Sequence, residues 1–284
     1  MFDFNVHLPC DLKLNTVGRL IEEGSMTISD LQMCYGSHRQ MLRESLDGAN
    51  FMLFNQDLPF DGYALSSWTE EVRKDWKAAA FTQLLDFRRD GLSEALDRLV
   101  EAGVYGVKFH SYVQRIEKHD FCAVIESAKL AAARGMFICV DASYGTTYLY
   151  ERDNLRLAAL LARVITAVPV VILHSGGARC LEAMLIALDC PNVYLETSFS
   201  LPFYKGSSVE ADFAFAYRKV GVDKILYASD FPYVTVVESL RCIDEFFNKF
   251  KFSEAERSAI LGDNALGFLA ALPKSLDRCG VRKE

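Results

Sequence analysis

Eight short apolar or β-rich runs alternate with longer helical patterns along the 284-residue chain, and each run closes on a polar or ionisable residue. The runs span residues 2–7, 51–55, 80–86, 104–110, 137–141, 168–174, 193–198 and 224–230. Between them lie helical patterns at 27–46, 92–102, 120–134, 155–166, 178–188 and 210–220. Gly48, Gly103, Gly135, Pro169, Pro191 and Gly221 mark the returns to strand, because glycine supplies a left-handed cap and proline cannot continue a helix. Alternation of this kind is the sequence form of repeated βα units. A doubly wound open sheet gives the same rhythm, but the count of eight favours a closed (β/α)8 barrel. No linker interrupts it, so a single domain is expected over 1–273, followed by a polar tail at 274–284.

A net charge of -7 disfavours a general nucleic-acid or membrane-surface binder, whose phosphate-rich partners would be repelled. No apolar run approaches the ~20 residues that span a bilayer. The opening Met1-Phe2-Asp3 leads directly into a patterned segment without a basic-then-apolar leader, and a cytoplasmic protein is expected. None of the eight cysteines forms a CxxC pair, and Cys122 and Cys139 sit in apolar runs as expected buried residues.

The run ends carry the chemistry. In order they are His7, Asn55, Asp86, His110, Asp141, His174, Glu196 or Ser198, and Asp230. A parallel barrel places its catalytic groups at these carboxyl ends. Three of the five histidines fall there, whereas His38 and His119 lie in helical or loop context and are expected to be solvated. Converging imidazoles and carboxylates are costly unless paired or bound to a cation, so a metal or a general acid/base site is expected. Asn5 and His7, like Lys108 and His110, stand two residues apart and share a strand face. Tyr112, Tyr144, Tyr204 and Tyr233 follow the runs and are candidates to line the mouth. The segment Ile260-Leu261-Gly262-Asp263-Asn264-Ala265 reads as a helix stop followed by a newly capped helix.

The segments HSGG, NVYLETS, ASDFP and GDNA, in this order, resemble the late-strand and C-terminal motifs of the amidohydrolase-related family of metal-dependent hydrolases and aromatic-acid decarboxylases. The resemblance extends from Asp3 to about Leu269 and implies a (β/α)8 barrel. Family members open with His-x-His on the first strand and end the fifth in a metal-binding histidine. Here the first position is Asn5 and the fifth run ends in Asp141. By resemblance, His174 acts on substrate, while Asp230 binds metal or handles the proton of the attacking water.

Asn5, His7, Asp141 and Asp230 form an oxygen-rich candidate set for zinc, manganese or magnesium, with no nucleotide cofactor expected. A bound divalent ion would bring the pKa of its water towards ~7. The expected activity is hydrolysis of a small ester, lactone or amide by activated water, with His174 and Asp230 catalytic. Lys108, His110, Tyr144 and Arg179 are candidate substrate contacts. Two alternatives stand: a metal-independent lactonase or decarboxylase polarising its substrate through Lys108 and His110, and a non-catalytic barrel used for binding or as a scaffold. The partner is a small molecule, and segment 27–46 is a candidate lid or homo-oligomer interface.

Overall fold

The computed structural model describes residues 1–8, 27–54, 62–143, 147 and 151–272. Eight parallel strands follow one another in sequence order: β1 (Phe2–Leu8), β2 (Gly48–Leu53), β3 (Ala78–Leu84), β4 (Gly106–Phe109), β5 (Phe137–Val140), β6 (Val170–Ile172), β7 (Val193–Glu196) and β8 (Ile225–Leu226). The last strand returns to the first through hydrogen bonds from Phe4 N–H to the Tyr227 carbonyl (2.9 Å), His7 N–H to Phe231 (2.8 Å) and Asp230 N–H to Asn5 (3.1 Å). Val6 and Phe231 add a parallel bridge, so the sheet closes as a barrel and the open alternative is excluded.

Helices α1 (Ile28–Ser45), α2 (Gly62–Asp75), α3 (Leu92–Glu101), α4 (Phe121–Ala132), α5 (Asn154–Val164), α6 (Cys180–Asp189), α7 (Ser200–Phe203), α8 (Ser208–Val220), α9 (Val236–Phe250), α10 (Glu254–Ser258) and α11 (Asn264–Ala270) accompany the strands. Helix α1 starts where expected because Thr27 and Asp30 cap each other reciprocally, satisfying backbone donors the first turn leaves open. Helices α2 and α9 add to the expected patterns.

Period-two alternation sorts the strand residues, broken on β1 by a register shift between Asp3 and Val6. Leu8, Phe51, Phe81, Val107, Ile138, Val170, Leu195 and Ile225 join the cluster shared with the helices. Phe2, Phe4, Ala78, Tyr105 and Phe137, near the strand starts, pack with Ala265, Phe268 and Leu269 of α11. The Phe268 ring meets Phe4, Phe137 and Tyr194 edge-on at 5.1–5.2 Å, so α11 stoppers the amino-terminal end of the barrel. The opposite end is left for polar groups.

Several expectations are corrected. His38 is buried, its ring edge-on to Phe231 at 5.2 Å, while His119 is exposed as expected. Cys139 is buried in β5, but Cys122 is exposed on α4 because it falls on the solvent side of the helix. No stop and restart occurs near Asp263: a π turn at Ala259–Asp263 runs straight into α11. Asn264 does not cap, because its amide donates to the carbonyls of Val222 (2.7 Å) and Ile225 (2.8 Å). Asn55, Tyr144 and the tail 274–284 lie outside the described residues.

Candidate active site

Each chemical group reaches the barrel mouth by a local device of its strand. On β1 the register against β2 shifts between Asp3 and Val6, which brings His7 opposite Met52 on the side that Phe2 and Phe4 face; Asp3, Asn5 and His7 are all buried. Strands β4 and β5 end one residue before His110 and Asp141. After β6 the chain takes a left-handed path through His174 (φ 61°), Ser175 (φ 50°), Gly176 and Gly177. Asp230 follows β8 with φ 68°. Positive φ at three non-glycine residues is costly and persists only where neighbours over-determine it.

Those neighbours are identifiable. The Glu196 carboxylate accepts from His174 N–H (3.1 Å), Ser198 Oγ (2.8 Å) and Ser198 N–H, tying β7 to the left-handed turn. Asp3 Oδ1 accepts from the backbone N–H of Asn5 and of Ser229, both at 3.0 Å, bracing β1 against the segment that carries Asp230. Burial pushes the carboxyls of Glu196 and Asp3 up, Asp3 to about 7.

Above this brace lies the reactive set. His174 Nε2 donates to Asp141 Oδ2 at 2.9 Å, and His174 Nδ1 meets Ser198 Oγ at 3.0 Å. Asn5 Nδ2 donates to Ser198 Oγ (3.1 Å) and to Asp230 Oδ1 (3.2 Å). His7 Nε2 lies 3.4 Å from Asp230 Oδ1 and accepts from the Lys108 ammonium at 3.2 Å. Lys108 Nζ is also 4.0 Å from Asp141 Oδ2, and His110 Nε2 is 3.4 Å from the same oxygen. Seven expected residues, Asn5, His7, Lys108, His110, Asp141, His174 and Asp230, are therefore brought together.

Burial opposes charge throughout, and neighbours decide where charge survives. For Asp141, burial raises the carboxyl, but His110, His174 and Lys108 outweigh it and hold it well below the carboxylate range. For His174, burial works against the proton, yet Asp141, Asp230 and Glu196 lift it to about 9, giving a buried imidazolium–carboxylate pair. Burial and the nearby Lys108 push His7 well down. Burial takes His110 to about 4 against the pull of Asp141. Burial raises Asp230, opposed by His174 and Lys108.

As a divalent-metal shell, Asn5, His7, Asp141 and Asp230 fit poorly. His7 Nε2 and Asp141 Oδ2, the natural ligand atoms, are already engaged by an ammonium and an imidazolium. A metal ion bound through those two atoms would have to displace both contacts. No group of three or more His, Cys, Asp or Glu among the described residues is disposed to hold a metal.

Other expected contacts separate. Arg179 pairs with Glu182 and, at 3.6 Å, with Asp153. Tyr204 packs on Phe203 and Phe213, whereas Tyr233 stands edge-on to His7 at 5.6 Å and Tyr112 at 5.7 Å from His110. Asp86 accepts from Arg88 N–H instead of entering the cluster. Sequence reasoning passed over Asp3, because the register shift on β1 leaves no mark in the spacing, and Phe54, whose apolar side chain gives no signal.

Solved structures share the architecture. A zinc-bound amidohydrolase from Burkholderia multivorans aligns with TM-score 0.68 at 14% identity, covering 96% of this chain and 99% of that one. A Pseudomonas putida protein assigned as a 2-pyrone-4,6-dicarboxylic acid hydrolase aligns at 0.62 and 17%, covering 94% and 96%. A dihydroxybenzoic acid decarboxylase from a Polaromonas species, with bound manganese and an inhibitor, aligns at 0.59 and 13%, covering 97% and 98%. At such identities these similarities bear on the fold. No curated protein sequence matches the chain significantly. A family model described as amidohydrolase matches residues 63–270, and the chain belongs to that family.

Proposed function

We propose that the protein is a metal-independent hydrolase of a small ester or lactone. The observation that carries this reading is the buried Lys108 ammonium at the centre of the cluster, 3.2 Å from His7 Nε2 and 4.0 Å from Asp141 Oδ2. A fixed cation in a water-poor site stabilises an oxyanion as it develops, without reorganising solvent at the moment of reaction.

The roles follow from the geometry. Asp230, raised by burial and steadied by Asn5, is poised to take a proton from water as that water attacks the carbonyl carbon. The carbonyl π electrons move onto oxygen, where Lys108 meets the charge. His174, protonated against Asp141, gives its proton to the leaving oxygen as the carbon–oxygen bond breaks. Asp230 then returns its proton to His174 through solvent. His110, the least buried of the set at its side chain (12% exposed), faces the substrate. The amidohydrolase relatives with hydrolase and decarboxylase activities support a small-molecule enzyme over a scaffold.

Hydrolysis of p-nitrophenyl acetate, δ-valerolactone and acetanilide, measured with and without a chelator alongside metal analysis, tests the reading. Activity should survive chelation, and Lys108→Met or Asp230→Asn should each lower kcat by about a hundredfold or more. Activity that vanishes on chelation and returns with zinc or manganese replaces this reading with the metal-assisted one.

A further inference from the structure

Phe54 follows directly on β2 and is buried, yet its ring belongs to neither large apolar cluster. It groups with Leu84 alone, with Val113 packed against the pair. Its other neighbours are chemical. The His7 ring stacks on it at 4.7 Å with 15° between planes. The His110 ring meets it at 5.4 Å, and Lys108 Nζ lies over it, 5.0 Å from the centroid. One aromatic ring thus touches three members of the reactive set.

The ammonium needs such a neighbour. Lys108 is fully buried, and among the described residues its ion-pair contact is Asp141 at a loose 4.0 Å. Donation to His7 satisfies one N–H. The electron-rich face of a ring supplies attraction that water supplied in the unfolded chain, and it does so most strongly for a desolvated cation. The stacked His7 ring is at the same time held parallel, which keeps Nε2 turned towards the ammonium.

We propose that Phe54 is a positioning residue of this site, its ring face holding the desolvated Lys108 ammonium against His7 so that the remaining N–H groups point at the substrate oxygen. The proposal rests on the reading of Lys108 as the electrophile. Mono-, di- and trifluorinated phenylalanine at position 54 progressively drain the ring face at nearly constant shape, which a purely space-filling role does not sense.

On p-nitrophenyl acetate, kcat should fall stepwise along the series, by roughly tenfold at trifluorination, with KM and Tm held. Phe54→Tyr should stay near wild type, and Phe54→Leu should lose at least as much as the trifluoro ring. A flat series while Lys108→Met is inactive overturns the role of Phe54 and leaves the electrophile standing. Full turnover by Lys108→Met sinks the electrophile instead. A second arm needs no substrate: the 19F resonance of 4-fluorophenylalanine at position 54 should move when Lys108→Met removes the charge. An unmoved resonance overturns the contact itself.

Discussion

Asp3 precedes Asn5 by two residues on β1 with its carboxyl entirely buried, holding two backbone N–H groups through one oxygen. Burial raises it from 3.8 to about 7, so the folded chain binds this proton more tightly than the unfolded chain does. Its contribution to stability is fully present below about pH 4 and is lost as pH rises through about 7. Asp3→Asn keeps an acceptor for both N–H groups and never ionises. The variant should therefore gain on wild type between pH 4 and 8, by up to about 4 kcal/mol. Urea melts at both ends of that window measure it, and parallel pH profiles for the two proteins reject it. At this scale the sequence marks ionisable residues at run ends and same-face spacing, which is how Asn5, His7 and His110 are found. It does not mark partners: Lys108 and His7 stand 101 residues apart, and the contact that supports the proposed metal-independent reading arises only from barrel closure.

Among the elements, β4 shows how tightly the strands approach. A Cβ at Gly106 would lie 2.4 Å from both the Phe137 ring and Thr82 Oγ1, in the adjoining strands β5 and β3. Gly106→Ala must push those strands apart and should cost about 1–3 kcal/mol. Thermal melts give the value, and an unchanged Tm means the neighbours yield freely. The helix patterns are legible because an apolar face repeats every three or four residues. Strand ends are misjudged for a physical reason, since apolar runs report burial while ladders report pairing. Leu173, Tyr227 and Ala228 are buried but lie beyond the ends of β6 and β8. Asn264 is misread similarly, its cap-like position serving instead to bind carbonyls beside β8.

For the whole molecule, closure depends on a last strand only two residues long, supported by α11. Asn264→Ala strips the Val222 and Ile225 carbonyls of their donor and should cost about 1–3 kcal/mol. Hydrogen exchange should locate the loss, with the Phe4, His7 and Asp230 amides speeding up before those of β4 and β5. Uniform acceleration throughout the barrel contradicts a local seam. Barrel architecture was legible from eight runs, but a seam this slight was not, because burial makes β8 look as long as its neighbours. The residue proposed to take the proton of water is also one of the stitches, since the Asp230 N–H binds the Asn5 carbonyl. On the proposed mechanism, catalytic competence and ring closure are then one molecular event. Warming should therefore silence the proposed activity while most of the helices still stand, and turnover followed beside far-ultraviolet circular dichroism checks it: loss of the two in step contradicts the idea.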